Sequence, residues 1–146
     1  MQNIESDTEI RNRHNICGRN WEIPHEEITL QDTIGQGMLG RVYKGKWKGT
    51  SVAIKAGPNL SNLVHLDSLM KNIFKYKHPN LITFIGASIA PSNTYYICEL
   101  IENGSIYDCI YKRNVAFSAK TILHILLQVA QAVSYLHSQQ PPVIIR

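Results

Sequence analysis

From Trp21 onward the chain falls into short blocks with distinct spacings of apolar and polar residues. "ITLQDTIG" and "RVYKGKW" alternate apolar with polar positions, and "TSVAIKA" is a short β-rich run. Glycines punctuate the gaps, so the three blocks predict adjacent strands of an antiparallel meander. "SNLVHLDSLMKNIFKYK" then places Leu66, Leu69, Met70, Ile73 and Phe74 at helical spacing. "LITFIGAS" and "TYYICEL" predict two further strands. "SIYDCIYKR" predicts a short helix that Ser105 can cap, and Ser118 opens a long helix through His137. Five strands interrupted by one helix and followed only by helices is an α+β plan. Residues 1–20 are polar and aperiodic and are expected to be a flexible leader.

Composition narrows the class without naming a function. The 146 residues are 44% apolar and 18% charged, enough for one globular domain with a real core. The most apolar segment, "TILHILLQVAQAVSYL", is broken by His124, Gln128 and Gln131, which predicts a buried helix rather than a membrane span. Cys17, Cys98 and Cys109 form no CxxC pair, and the histidines lack ligand spacing. Neither a disulfide framework nor a metal site is expected, and a reduced, cytoplasmic setting fits. Residues 41–80 carry eight Lys or Arg against the single acid Asp67. Arg41, Lys44, Lys46 and Lys48 nevertheless sit beside a glycine loop without aromatic stacking platforms. They read as a solvated strand face with some attraction for phosphate, not as a nucleic-acid surface.

"GQGMLG", Gly35 to Gly40, matches GxGxxG, which alone is a weak signal. In a dinucleotide fold the third glycine opens a helix and an acid follows about 20 residues later. Here a strand follows Gly40, and no acid lies between Arg41 and Leu66. The Walker pattern fails too, because no Lys-Ser/Thr follows the last glycine. A hairpin whose glycines let backbone amides approach phosphates fits better. Lys55 ends the apolar run "VAIK", where an ammonium without a partner is costly.

The ordered set GxGxxGxV, "VAIK", His78-Pro79-Asn80, "ICELIENGSIYD" and "YLH" resembles the protein kinase fold. "WEIPHEEITLQDTIGQGMLGRVYKGKWKGTSVAIK" further resembles the start of kinases in the tyrosine-kinase-like group, such as Raf, mixed-lineage and cardiac troponin-I-interacting kinases. The resemblance covers about Trp21 to Arg146. It implies a small lobe over residues 21–101 and the start of a large lobe over 102–146. By the same resemblance Ile34 and Val42 enclose adenine, and Gly35, Gln36, Gly37 and Gly40 cover the phosphates. Ala53 packs on adenine and Lys55 holds the α- and β-phosphates. Cys98 stands at the gatekeeper position, though a small core residue is the plainer reading of that cysteine. The backbone of Glu99 and Ile101 meets the adenine edge, with Ser105 and Asp108 near the ribose.

Two departures qualify the resemblance. The family's helix glutamate, partner of the strand lysine, falls on Leu69; Asp67 lies roughly 200° around the helix from it. If the helix keeps register, Lys55 lacks the carboxylate that phosphoryl transfer requires. The second departure is "YLHSQQPPVIIR", which resembles the run into the His-Arg-Asp loop, with Ile145 at the His position and Arg146 at the Arg. The catalytic Asp, the metal-binding Asn and the Asp-Phe-Gly segment are then expected beyond this chain. The implied partners are ATP and a protein substrate, with Mg²⁺ expected only for a complete domain. The parent is expected to phosphorylate Ser or Thr; the alternative is a pseudokinase-type nucleotide-binding or scaffolding module. This chain alone is expected to be inactive.

Overall fold

The computed structural model describes residues 19–37, 40–58 and 63–144. The alternating blocks form β1 (Ile28–Gly37), β2 (Gly40–Trp47) and β3 (Thr50–Pro58), a meander in which each strand pairs antiparallel with the next. Trp47 pairs with Thr50, leaving Lys48 and Gly49 as a two-residue turn. Their φ angles of 47° and 82° are those of a type I′ hairpin, whose twist matches the flanking strands. After the helix α1 (Leu63–Lys75) come β4 (Phe84–Ile89) and β5 (Asn93–Glu99), giving one antiparallel sheet in the order β1-β2-β3-β5-β4. The predicted α+β plan of five strands, one helix and then helices is what forms.

The sheet buries both faces. On one, Ile23, Val52, Ile54 and Ile97 pack with Ile28, Tyr43, Trp47, Ile85 and Tyr95. On the other, α1 lays Leu66 and Met70 against Ala87 and Trp21, flanked by Ile73, Phe74, Phe84 and Tyr96. Of the predicted helical stripe, Leu69 departs: it is 37% exposed, because one turn of helix cannot present positions 66, 69 and 70 equally to a single sheet.

Segment 19–23 is stitched to the far edge of the sheet. The Ile23 amide donates to the Ala87 carbonyl and the Ala87 amide to the Trp21 carbonyl, both at 2.8 Å. Trp21, only 3% exposed, donates its indole Nε1–H to Asp67 at 2.9 Å. Arg19 bonds Glu22 at 3.2 Å. The first eighteen residues of the predicted leader lie outside the described residues.

The long helix α2 (Ala119–His137) begins where Ser118 accepts the Thr121 amide at 3.1 Å, the predicted cap. It docks on the turn after α1. Tyr135 Oη accepts the Lys77 amide, and Asn80 Nδ2 donates to the Gln128 carbonyl and to Gln131 Oε1, each at 3.1 Å. The segment expected to be a buried helix is instead exposed at Ile122, Leu123, Leu126, Leu127 and Val129, because it touches the rest of the described residues mainly through its last turns. Ile125 and Val133 are half-buried, and Leu136 is buried where the chain folds back so that the Val143 amide reaches the Leu136 carbonyl at 3.0 Å. No described helix is long and apolar enough to cross a membrane.

Candidate functional site

Strand register decides which side chains meet. Successive strand residues point to opposite faces, and directly paired residues share a face. One row across the sheet is Gly35–Val42–Lys55–Tyr96–Ala87, and the next is Lys44–Ala53–Cys98–Phe84. Because Ala87, Tyr96 and Phe84 pack with α1, both rows lie on the α1 face. Val42, Ala53, Lys55 and Cys98, predicted from separate motifs, are therefore brought together on one surface.

The glycine hairpin sits at the free end of these rows. Gly35 pairs with Val42, Gln36 with Arg41 and Gly37 with Gly40, while Ile34 stands 48% exposed beside them. Gly40 has φ 118°, and a Cβ there would run into the Ala56 carbonyl of β3. The third glycine is thus required by the sheet itself, whatever the loop binds.

Lys55 is half-buried, and among the described residues no carboxylate pairs with it. The nearest acid in sequence is committed elsewhere. Asp67 accepts the Trp21 indole, holds Lys71 at 2.7 Å and stands 4.0 Å from Arg19. Lys71 and then Trp21 hold its carboxyl below the usual range. Asp67 is half-buried against Trp21 and more covered than Leu69, which, being a leucine, offers Lys55 no carboxylate. Burial pushes the Cys98 thiol up, Glu99 adds to that and Lys55 partly offsets it.

β5 ends at Glu99, whose amide donates to the Thr83 carbonyl at 3.0 Å while its own Oε1 accepts the Thr83 amide at 2.5 Å. That bond holds the Glu99 carboxyl below its ordinary value. Ile101 follows, 49% exposed. Ser105 and Asp108 satisfy each other: Ser105 Oγ accepts the Asp108 amide at 3.0 Å, and Asp108 Oδ2 accepts the Ser105 amide and hydroxyl at 3.1 and 2.6 Å. Lys112 lies 2.5 Å from the same carboxylate and is the main cause of its lowered pKa. The pair ties Ser105 to the first residue of a π-type turn, Asp108–Lys112, beyond the strand end.

Two clefts border the helices, the second reaching Phe84 at the end of one row. One of about 610 Å³ is lined by His78, Pro79, Asn80 and the α2 residues Ala130, Gln131 and Ser134. Another of about 340 Å³ lies between the end of α1 and the start of β4. Neither includes Lys55 or the glycine hairpin. Sequence reasoning missed the Thr83–Glu99 and Trp21–Asp67 bonds, which join residues 16 and 46 positions apart.

Residues 28–142 match the family model described as protein tyrosine and serine/threonine kinase. The probable serine/threonine-protein kinase SIS8 of Arabidopsis thaliana is 36% identical over 86% of this chain and 12% of its own length. The probable serine/threonine-protein kinase drkD of Dictyostelium discoideum is 33% identical over 86% of this chain and 10% of its own. A putative serine/threonine-protein kinase/receptor of Acanthamoeba polyphaga mimivirus is 32% identical over 98% of this chain and 9% of its own. The chain thus spans about a tenth of the length of these relatives.

Proposed function

The chain belongs to the protein tyrosine and serine/threonine kinase family, and from that premise we propose that it is the ATP-binding part of a serine/threonine kinase of the tyrosine-kinase-like group. The observation that carries this reading is the register that sets Val42, Ala53, Lys55 and Cys98 on one face beside the glycine hairpin. Lys55 supplies the cation for the α- and β-phosphates, and the hairpin amides cover them. Ile34, Val42 and Ala53 give adenine an apolar slot, and the backbone at Glu99 and Ile101 meets its edge. Ser105 and Asp108, already bonded to each other, border the ribose side. The whole kinase of which these residues form part transfers the γ-phosphoryl of ATP to a protein Ser or Thr hydroxyl, in a cytoplasmic setting.

Mg²⁺ is expected only for a complete kinase domain. The relatives named above are described as kinases, and the scaffolding alternative is not favoured. Calorimetry with ATP tests the reading. Saturable binding that Lys55→Met weakens about tenfold or more supports it, since the substitution removes the phosphate's cation and keeps the side chain's bulk. No binding, or binding indifferent to Lys55→Met, would refute it.

A further inference from the structure

Past β5 the chain makes a tight turn, and a side chain further along holds it from outside. The Gly104 amide donates to the Ile101 carbonyl at 3.1 Å, closing the turn through Glu102 and Asn103. Gly104 leaves it at φ 68°, a left-handed conformation that glycine adopts without strain. The Asn103 carbonyl then accepts from Nη2 of Arg113, ten positions on. The same nitrogen stands 2.7 Å from Cys109 Sγ. Arg113 is tied down at its own base: its amide donates to the Asp108 carbonyl at 3.0 Å, and the Val115 amide to the Cys109 carbonyl at 2.9 Å. Among the described residues no carboxylate pairs with Arg113. Its neighbour Lys112 takes the Asp108 carboxylate, so the guanidinium is left for a main-chain carbonyl.

We propose that Arg113 is a positioning residue: by holding the Asn103 carbonyl it fixes the turn that separates the strand end from Ser105 and Asp108, and so sets the spacing between the base side and the ribose side of the nucleotide site. This rests on the nucleotide-site reading above and adds to it a strut from outside the slot. A charged donor makes the bond stronger than a neutral one would. Lys55 and the glycine hairpin lie on the sheet and take no bond from Arg113, so the phosphate side does not depend on it. The effect of losing the strut should therefore fall on the nucleoside and spare the phosphates.

The test compares adenosine with inorganic tripolyphosphate by calorimetry on the 146-residue chain and its variants. Arg113→Met should weaken adenosine about threefold, the scale of one exposed hydrogen bond, and leave tripolyphosphate unchanged. Arg113→Lys keeps a cationic donor within reach of the carbonyl and should hold adenosine within about twofold of wild type. Equal loss of adenosine and tripolyphosphate in Arg113→Met would overturn the inference, because Arg113 would then act through its charge or through the fold. Unchanged adenosine binding in Arg113→Met would overturn it while leaving the nucleotide site intact, and so would an Arg113→Lys variant as weak as Arg113→Met. If the wild-type chain binds neither ligand, the nucleotide reading itself falls and takes the inference with it.

Discussion

Substituting three leucine and methionine positions of α1 one at a time reads the helix's register as free energy. Leu66 and Met70 are fully buried, one helical turn apart, in the cluster that holds Trp21 and Ala87. Truncating a side chain there loses its transfer free energy and leaves a cavity that the sheet cannot collapse into. Leu66→Ala and Met70→Ala should each cost about 2–5 kcal/mol. Leu69 keeps 37% of its surface in water, so truncation removes only part of a burial worth about 1.5–3 kcal/mol and opens no enclosed void. Leu69→Ala should therefore cost about 1 kcal/mol. Urea unfolding followed by far-UV circular dichroism, with slopes checked for equality, measures the three differences. If Leu69→Ala costs as much as Leu66→Ala, the helix is rotated from the described register. Position 69 would then face the sheet, where a leucine still offers Lys55 no carboxylate.

Further expectations concern charge and exposure. Asp67→Ala should leave ATP affinity within about twofold, while Leu69→Glu strengthens it by placing a carboxylate at the family's position; a tenfold loss in Asp67→Ala, with no gain in Leu69→Glu, would show Asp67 serving Lys55. Asp67, Glu99 and Asp108 are held low chiefly by Lys71, the Thr83 amide and Lys112 respectively. A depressed folded pKa adds stability above the unfolded value near about 4 and loses it as pH falls through the folded one. Melting temperature should thus hold above about pH 5 and decline below about pH 4, and a rise on acidification would contradict the assignments. Ile122, Leu123, Leu126, Leu127 and Val129 leave an apolar face of α2 exposed. Light scattering should show the 146-residue chain self-associating, whereas a version ending at Arg113 stays smaller; a monodisperse, monomeric 146-residue chain would mean this face is covered.

Much of the architecture was legible because its causes are local. Period-two alternation, the Gly49 turn and the Ser118 cap each act within a few residues, so strands, hairpin and helix start follow from sequence. The rows that assemble Val42, Ala53, Lys55 and Cys98 follow once register is known, and register is set by those same turns. What could not be read are partnerships between distant segments. Nothing near Trp21 announces that its indole ends on Asp67, or near Thr83 that its amide takes the Glu99 carboxylate. Leu69 shows the limit of periodicity: its spacing suits the core, yet the sheet admits Leu66 and Met70 and leaves it at the rim.

The most direct test of the central claim is residue-resolved mapping of the ATP site by ¹H–¹⁵N NMR on the chain titrated with ATP. The account predicts shifts concentrated at Gly35, Val42, Ala53, Lys55, Cys98, Glu99 and Ile101, and absent around the cleft formed by His78, Asn80 and Ser134. Shifts centred on that cleft, with the two strand rows unmoved, would contradict it.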